Sequence, residues 1–163
     1  LGDVYKRQEW NGPNAECCIK TTLARQIANW VIIYSPLQMA ADLIENYEGH
    51  PAFRFFRDFD ADCDWSKALQ GEIGDYIVVA RRAKDRYFLG AGTDEKARTL
   101  VQKLDFLEPG VTYTATIYAD APDAGRNPEA YLIGKRAVTA RDTIRIEMAE
   151  RGGQAITFIP AEK

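Results

Sequence analysis

Residues 21–59, TTLARQIANWVIIYSPLQMAADLIENYEGHPAFRFFRDF, carry the clearest helical pattern in the chain. Leu23, Ile27, Trp30, Val31 and Tyr34 recur at i, i+4, i+7, i+8 and i+11, which is the spacing of one helix face. Alanines and a further isoleucine widen this apolar face, and a helix so widely apolar must be covered on most sides. The pattern predicts a helix up to Tyr34 that packs in the outer layer of a larger α/β domain.

The Ser35-Pro36 pair predicts the end of this helix and the start of a second one. Proline disfavours the helical region for the residue before it and suits the first position of a new helix, while serine can cap that helix. The second helix is predicted from Pro36 to about Asn46, before the break at residues 49–51. A short aromatic turn follows, and we expect it to fill the space between two domains; its members are Phe53, Phe55, Phe56 and Phe59.

From Trp65 onward the apolar residues alternate with polar ones, which is the period of half-buried strands. The clearest cases are residues 111–119 and 143–148, each with its apolar side predicted to face inward. Turn residues divide this part into about eight strands, near 65–73, 75–82, 86–90, 99–106, 112–120, 131–138, 143–149 and 155–159. Because the connections are short and no crossover helix intervenes, we predict a mainly β fold with N-terminal helices, the β part being an antiparallel sandwich or partly closed barrel.

Composition excludes several classes of partner. With 21 basic and 24 acidic residues, the net charge is −3, and no basic run could neutralise phosphates, so nucleic acid is not an expected partner. No apolar run approaches the roughly 20 residues of a membrane-spanning helix, so a membrane is not expected either. Cys17 and Cys18 are adjacent and Cys63 is alone, which fits neither a disulfide framework nor a metal site, and free or buried thiols are expected.

Few residues point to chemistry. Asp58, Asp60, Asp62 and Asp64 alternate in FDADCDW, but they lack the central Gly and distal Glu of an EF-hand, so a solvated linker is favoured over a cation site. His50 has no nucleophile motif beside it in the sequence and is expected to be structural. The stretch LGAGTDEK, with Gly90, Gly92 and Thr93, matches no phosphate-binding motif and is interpreted as a hairpin turn.

Aromatic residues of the strands leave a sugar-binding alternative open. Stacking on sugar rings by Trp65, Tyr87, Tyr113, Tyr118 or Tyr131 would make the β domain a carbohydrate-binding module, although aromatic residues are also ordinary strand formers.

One family pattern matches most of the chain. The stretches TTLARQIANWVIIYSPLQMAADL and ENYEGHPAF resemble the end of the catalytic barrel of glycoside hydrolase family 97. The resemblance continues through GEIGDYIVVARRAKDRYFLGAGTDEKARTL, LDFLEPGVTYTATIYADAPDA, NPEAYLIGKRAVTARDTI and GGQAITF, and so covers roughly residues 20–160. Residues 1–8 are not part of it.

The resemblance implies a parent enzyme that cleaves α-glucosides or α-galactosides with calcium at its active site. Its active site would lie in a (β/α)8 barrel, followed by a C-terminal β domain associated with oligomerisation, and a periplasmic or secreted bacterial location is implied. The catalytic carboxylates and calcium ligands of the family lie upstream of Thr21, so no residue here receives a catalytic, metal-binding or substrate-binding role. This chain on its own is therefore expected to be inactive and to need no cofactor.

The resulting domain prediction has three parts. Residues 1–20 are an irregular or non-native leader, 21–60 are terminal helices of the barrel with a linker, and 61–163 are an antiparallel β-sandwich. The predicted partners are the upstream barrel of the same protein and further copies in a homo-oligomer, with an α-linked oligosaccharide as the parent's substrate. The residues predicted to join barrel and sandwich are Trp30, Tyr34, Phe53, Phe55, Phe56 and Phe59.

Overall fold

The computed structural model of this chain describes residues 20–39 and 44–161. In these ranges the helices are α1 (Leu23–Ile32), α2 (Ile44–Tyr47) and α3 (Phe53–Asp58). The first predicted helix is confirmed in type and position; Thr22 caps it by accepting a hydrogen bond from the Arg25 backbone N–H at 3.1 Å. The predicted leader up to residue 19, including Cys17 and Cys18, lies outside the described residues.

The predicted second helix is wrong at its start, because residues 36–39 are not helical. The Ser35 hydroxyl donates to the Leu37 carbonyl at 2.6 Å and accepts from the Leu37 N–H, which makes a local turn instead of a helix cap. The Gln38 amide then donates to the carbonyl oxygens of Trp30 and Ile33 at 3.4 Å, which folds this segment back over the end of α1. The next helix in the described residues is α2, and residues 40–43 lie outside the described part.

The predicted β-sandwich is confirmed. Eight strands are present in the described residues: β1 (Trp65–Glu72), β2 (Tyr76–Ala83), β3 (Arg86–Thr93), β4 (Arg98–Lys103), β5 (Tyr113–Asp120), β6 (Tyr131–Val138), β7 (Thr143–Met148) and β8 (Gly153–Pro160). All pairings are antiparallel. Six strands form one sheet in the order β1-β2-β3-β8-β5-β6, and β4 and β7 form the second sheet.

The six-stranded sheet is the middle layer of three, with a core on each face. Toward the β4–β7 sheet it buries a cluster that includes Leu89, Ile156 and Phe158. Toward α1 and α3 it buries a second cluster that includes Phe88, Tyr118 and Ala155. The helices therefore cover the outer face of the sandwich. Among the described residues, no helix is long and apolar enough to cross a membrane.

Strand β5 differs from the half-buried strand that its alternation predicts. Tyr113 and Ala115 face the inter-sheet core, as predicted, but Thr116 and Tyr118 on the other face are also buried, at 5% and 0% exposure. The helix layer explains the difference, since it covers the face that would otherwise be solvated. Strand β7 behaves as predicted: Ile144, Ile146 and Met148 are buried and the alternate positions are exposed.

Candidate functional site

Helix and sheet come into very close contact where α1 crosses β3 and β8. A Cβ atom added at Gly90 would lie 2.6 Å from the Ala28 carbonyl oxygen and 2.8 Å from the Val31 Cβ. At Gly153 it would lie 2.7 Å from the Arg25 Cα, and at Gly92 it would collide with the Arg25 guanidinium. These three glycines form a flat floor on the sheet, the glycine floor, that lets the α1 backbone come into contact. The glycines of LGAGT thus lie inside β3, and the hairpin-turn interpretation is wrong.

Polar groups fasten the N-terminal end of α1 to the sheet. The Arg25 guanidinium donates to Asn29 Oδ1 at 2.9 Å and to the Thr93 carbonyl at 3.0 Å. Nearby, Asp120 Oδ2 accepts from the backbone N–H groups of Ala149 and Gly153 at 2.9 and 3.0 Å. Burial lowers the pKa of Arg25 and raises the pKa of Asp120, while the charge of each favours ionisation of the other. Asp120 also forms a hydrogen bond with the side chain of Thr22, the N-cap residue of α1, so Arg25 and Asp120 each connect this helix end to the sheet.

Arg81 fastens the other end of α1. This arginine is 4% exposed, and its Nε donates to the Val31 carbonyl at 2.5 Å. Its guanidinium carbon also lies 5.1 Å from the centre of the Tyr34 ring. The last carbonyls of a helix lack intrahelical partners and carry its negative dipole end, so a guanidinium stabilises them. Burial lowers the pKa of Arg81. Nothing in the local sequence marks this role, because the contact spans 50 residues.

Five of the six predicted joining residues lie in the helix layer. The Trp30 ring is 4.4 Å from Phe56 and 5.9 Å from Phe59, between ring centres, and Phe53 is 5.9 Å from Phe56. Phe55 has no exposed surface and meets the Tyr118 ring edge-on at 5.5 Å. Within this chain, these rings join α1 and α3 to the sheet; a role in contacting another domain remains a prediction.

Tyr34, the sixth, belongs to a run of exposed apolar side chains that we call the apolar strip. Its members lie in the non-helical residues 33–39 that follow α1 and at the first residue of α2. Its members and their exposed fractions are Ile33 (63%), Tyr34 (60%), Leu37 (71%), Met39 (73%) and Ile44 (80%). Several strongly exposed apolar side chains within one short segment are a feature of interaction sites in soluble proteins.

The acidic segment 58–64 acts as a structural turn. Asp60 binds the Lys84 ammonium at 3.0 Å, and the Asp64 carboxylate accepts the Lys84 backbone N–H at 2.7 Å. Within residues 20–39 and 44–161 there is no group of three or more His, Cys, Asp or Glu side chains that could hold a metal ion. The Cys63 thiol donates to the Asp60 carbonyl at 3.3 Å, and burial raises the pKa of this thiol, which is unfavourable for a nucleophilic thiolate.

The candidate sugar-stacking aromatics are mostly inside the fold. Tyr87, Tyr113 and Tyr118 are 4%, 1% and 0% exposed, so three of the five cannot present a ring to a sugar. Burial also raises the pKa of Tyr118 to about 12, and its hydroxyl is neutral at physiological pH. Tyr131 stacks on His50 with 5.5 Å between ring centres, which gives that histidine a packing contact at the helix–sheet corner. Three of the five aromatic residues on which the sugar-binding alternative rests are therefore buried and cannot stack on a sugar.

A groove of about 720 Å³ beside the β1–β2 hairpin contains carboxylates, and two of them, Asp75 and Asp94, accept hydrogen bonds from Arg98. Arg98 binds Asp75 at 2.8 Å and also binds Asp94. The hydrogen bond from Arg98 lowers the pKa of Asp94, which is therefore ionised at neutral pH. A glycosidase acid must carry a proton near neutral pH, so this carboxyl does not have the protonation state of a catalytic acid.

The Asp94–Arg98 pair predicts a pH effect. Because the folded-state pKa of Asp94 is depressed, its contribution to stability is present above the unfolded pKa and is lost as the pH falls through the folded pKa. Replacing Arg98 with Met is expected to raise the Asp94 pKa toward its ordinary value of about 3.9, measured by NMR titration of the side-chain carboxyl. Arg145→Met removes another ion pair, with Glu147, and should leave the Asp94 pKa unchanged. An unchanged pKa in Arg98→Met would contradict the assigned cause.

Comparisons with known proteins agree on one family. The family described as "Glycosyl-hydrolase 97 C-terminal, oligomerisation" matches residues 62–159. A retaining alpha-galactosidase from Bacteroides thetaiotaomicron is 32% identical over 136 residues, covering 83% of this chain and 20% of that protein. A glycoside hydrolase family 97 enzyme from Pseudoalteromonas sp. strain K8, solved in complex with acarbose, has a TM-score of 0.89 and 43% identity, covering 96% of this chain and 25% of that chain.

A more distant structure shares the fold. A beta-arabinopyranosidase matches with a TM-score of 0.74 at 23% identity, over 94% of this chain and 23% of its own. In all these cases, the chain spans between a fifth and a quarter of the relative's length. The helix–sheet interface and the apolar strip therefore correspond to one part of a much longer kind of protein.

Proposed function

Because the chain belongs to glycoside hydrolase family 97 and contains its C-terminal oligomerisation domain, we propose that it is the assembly end of an α-glycoside hydrolase. In this proposal, the chain contributes no catalytic residue. It holds the catalytic domain through the apolar strip and joins copies of the enzyme through its β domain.

The observation that carries the proposal is the apolar strip. Five apolar side chains are each at least 60% exposed along one segment that starts at the end of α1. The catalytic domain is the proposed occupant because this chain covers only 20–25% of the relatives' length, and so the relatives have additional domains that could cover the strip. Burial of these side chains would stabilise the contact by about 25 cal/mol per Å² of apolar surface.

The contacts that attach α1 to the sheet also support a role in holding the catalytic domain. Its backbone touches the glycine floor, Arg81 binds its last carbonyls, and Arg25 ties its first turn to β3. Because α1 is fixed at both ends and Arg81 also contacts the Tyr34 ring, the start of the strip is held in place, and a preorganised surface loses little conformational entropy on binding. We infer that α1 belongs to both parts of the enzyme: it packs on the β domain and, as the sequence predicts, takes the place of an outer helix of the barrel.

The parent's activity is part of the proposal. The similarity to a retaining alpha-galactosidase and to an enzyme solved with acarbose supports cleavage of an α-glucoside or α-galactoside. Calcium, which the family resemblance implies, would bind outside this region, since the described residues contain no group of three or more suitable ligands. The described residues, which contain no such group, do not fit that metal.

A charge placed in the apolar strip tests the proposal. The variant Leu37→Asp/Met39→Asp is expected to bind the separately expressed upstream part of the parent at least tenfold more weakly than wild type, or about 1.4 kcal/mol, measured by titration calorimetry. The reason is that a carboxylate buried in an apolar contact loses its hydration without gaining a partner.

The matched control for this experiment is Ile73→Asp. Ile73 is fully exposed in the β1–β2 turn, outside the strip, and the same substitution there should leave binding unchanged. Unaltered unfolding curves would show that both variants fold. Equal affinity of the wild type and the strip variant would refute docking through this surface.

A further inference from the structure

The non-helical segment after α1 has the side-chain pattern of a β-strand. Leu37 and Met39 are strongly exposed, whereas the Gln38 side chain between them turns back and donates to carbonyl oxygens at the end of α1. Side chains that alternate between two faces with a period of two are typical of an extended strand. Pro36 fits this pattern as well, because proline is tolerated as the first residue of a strand.

The backbone of this segment has hydrogen-bonding groups to spare. The N–H groups of Gln38 and Met39 form no hydrogen bond with any described residue, and in a strand the N–H groups of successive residues point to opposite edges. The Leu37 N–H is bound only by the nearby Ser35 hydroxyl, a local contact of the kind that competes with secondary structure. Backbone groups that become buried need partners. If the apolar strip is covered, both edges of the segment therefore need acceptors.

Helices lie on both sides of this segment in the chain. α1 precedes it, α2 and α3 follow it, and α1 packs against α3, with 4.4 Å between the ring centres of Trp30 and Phe56. Neighbouring helices joined through an extended segment are the repeating pattern of a parallel sheet with helices on its face. The β-sandwich is not this sheet, because its pairings among the described residues are antiparallel and none involves residues 33–39.

From these observations, and resting on the proposed docking of the catalytic domain, we propose that residues 36–39 enter the sheet of that domain as a parallel β-strand. The occupant of the apolar strip is then a pair of strands that bind the backbone of this segment on its two edges, as in other cases of strand addition. Gln38 faces α1, and Leu37 and Met39 point away from α1 into the catalytic domain. α1 becomes a layer between two sheets.

Oxidation by hydrogen peroxide tests whether the strip is covered in the full-length parent enzyme. The chain contains two methionines, Met39 in the strip and Met148 in the core between the sheets. In the isolated chain, the exposed Met39 should oxidise quickly and the buried Met148 slowly. In the parent, Met39 should oxidise about tenfold more slowly than in the isolated chain, while Met148 keeps its rate. Peptide mass spectrometry measures both rates.

Amide exchange tests whether the backbone is paired as well. In the parent, the amides of Gln38 and Met39 should exchange with deuterium about a hundredfold more slowly than in the isolated chain, because a hydrogen-bonded amide exchanges only when the structure opens. The amide of Ile73, in the β1–β2 turn outside the strip, should exchange at the same rate in both proteins.

Together, the two measurements separate this inference from the proposed function. Slow oxidation of Met39 with fast exchange at both amides would refute the strand and leave the docking surface standing. Fast oxidation and fast exchange in the parent would refute both. Slow oxidation with slow exchange at Gln38 and Met39 is the result that we expect.

Two substitutions at Met39 distinguish the backbone from the side chain. Met39→Pro and Met39→Ala both remove the methionine side chain, but only proline also removes the backbone N–H. In the parent, the Gln38 amide should exchange about tenfold faster in the proline variant than in the alanine variant. As isolated chains, the two variants should unfold alike, because the Met39 N–H bonds to no described residue. Equal exchange rates in the two parent variants would overturn strand pairing at this position.

Discussion

Replacing Phe55 with alanine is expected to lower the free energy of unfolding by about 3–5 kcal/mol, the usual cost of removing a fully buried aromatic ring. Phe55, on α3, has no exposed surface and packs against the Phe59 ring and against Tyr118 of β5. The loss would show that α3 is part of the folding unit of the sandwich. Denaturant unfolding followed by tryptophan fluorescence measures it.

Phe53→Ala is the matched control for this substitution. Phe53 lies on the same helix and also packs against Phe56, but it is partly exposed. We expect a clearly smaller loss at this position, since less apolar surface leaves the core. Equal and small losses at both positions, below about 1 kcal/mol, would contradict a core shared between α3 and the sheet.

The glycine floor gives the second large effect. Gly90→Ala is expected to cost about 1–3 kcal/mol, because the added methyl group has no space beneath the α1 backbone and the helix must move away. Hydrogen exchange at the α1 amides should accelerate in the same variant, since the displaced helix opens more often.

Gly134 supplies the comparison, because it also lies within a strand but a methyl group added there would have no atom within 4 Å. Gly134→Ala should be neutral or stabilise the fold by up to about 1 kcal/mol, since alanine loses less backbone entropy than glycine in a strand. If Gly90→Ala were as well tolerated as Gly134→Ala, α1 would not be seated as described.

The strands were predictable because the evidence for them is local. Alternation in residues 111–119 and 143–148, bounded by turn residues, places β5 and β7 close to their observed limits. Turns are encoded within a few residues in the same way; Gly110, for example, has a positive φ of 83° that glycine adopts without strain. Prediction of the sandwich needed no contact between distant parts of the chain.

The wrong predictions concern features that depend on contacts with distant parts of the chain. Gly90 and Gly92 look like turn residues in isolation, and only the position of α1, which lies far earlier in the chain, explains why a strand contains them. Tyr118 is buried because the same helix layer covers it. The Ser35-Pro36 pair satisfies a rule for starting helices, but Gln38 binds the end of α1 and the chain turns back. Each competing contact is long-range or depends on a side chain that periodicity does not describe.

For the candidate site, the sequence identified the stretch 21–59, but it did not show which side chains of that stretch are exposed. Trp30, Phe56 and Phe59 form one packed group, but the exposed strip includes Leu37 and Met39, which the predicted second helix concealed. The role of Arg81 was not predicted at all. A buried guanidinium on a helix end is a property of the folded sheet.

Sedimentation velocity of the wild-type chain over a wide concentration range decides whether this chain is an assembly domain. We expect a reversible shift from the 18.3 kDa monomer toward a dimer as the concentration rises. A single species at the monomer mass at every concentration would show that the chain does not assemble by itself and would overturn the proposed role.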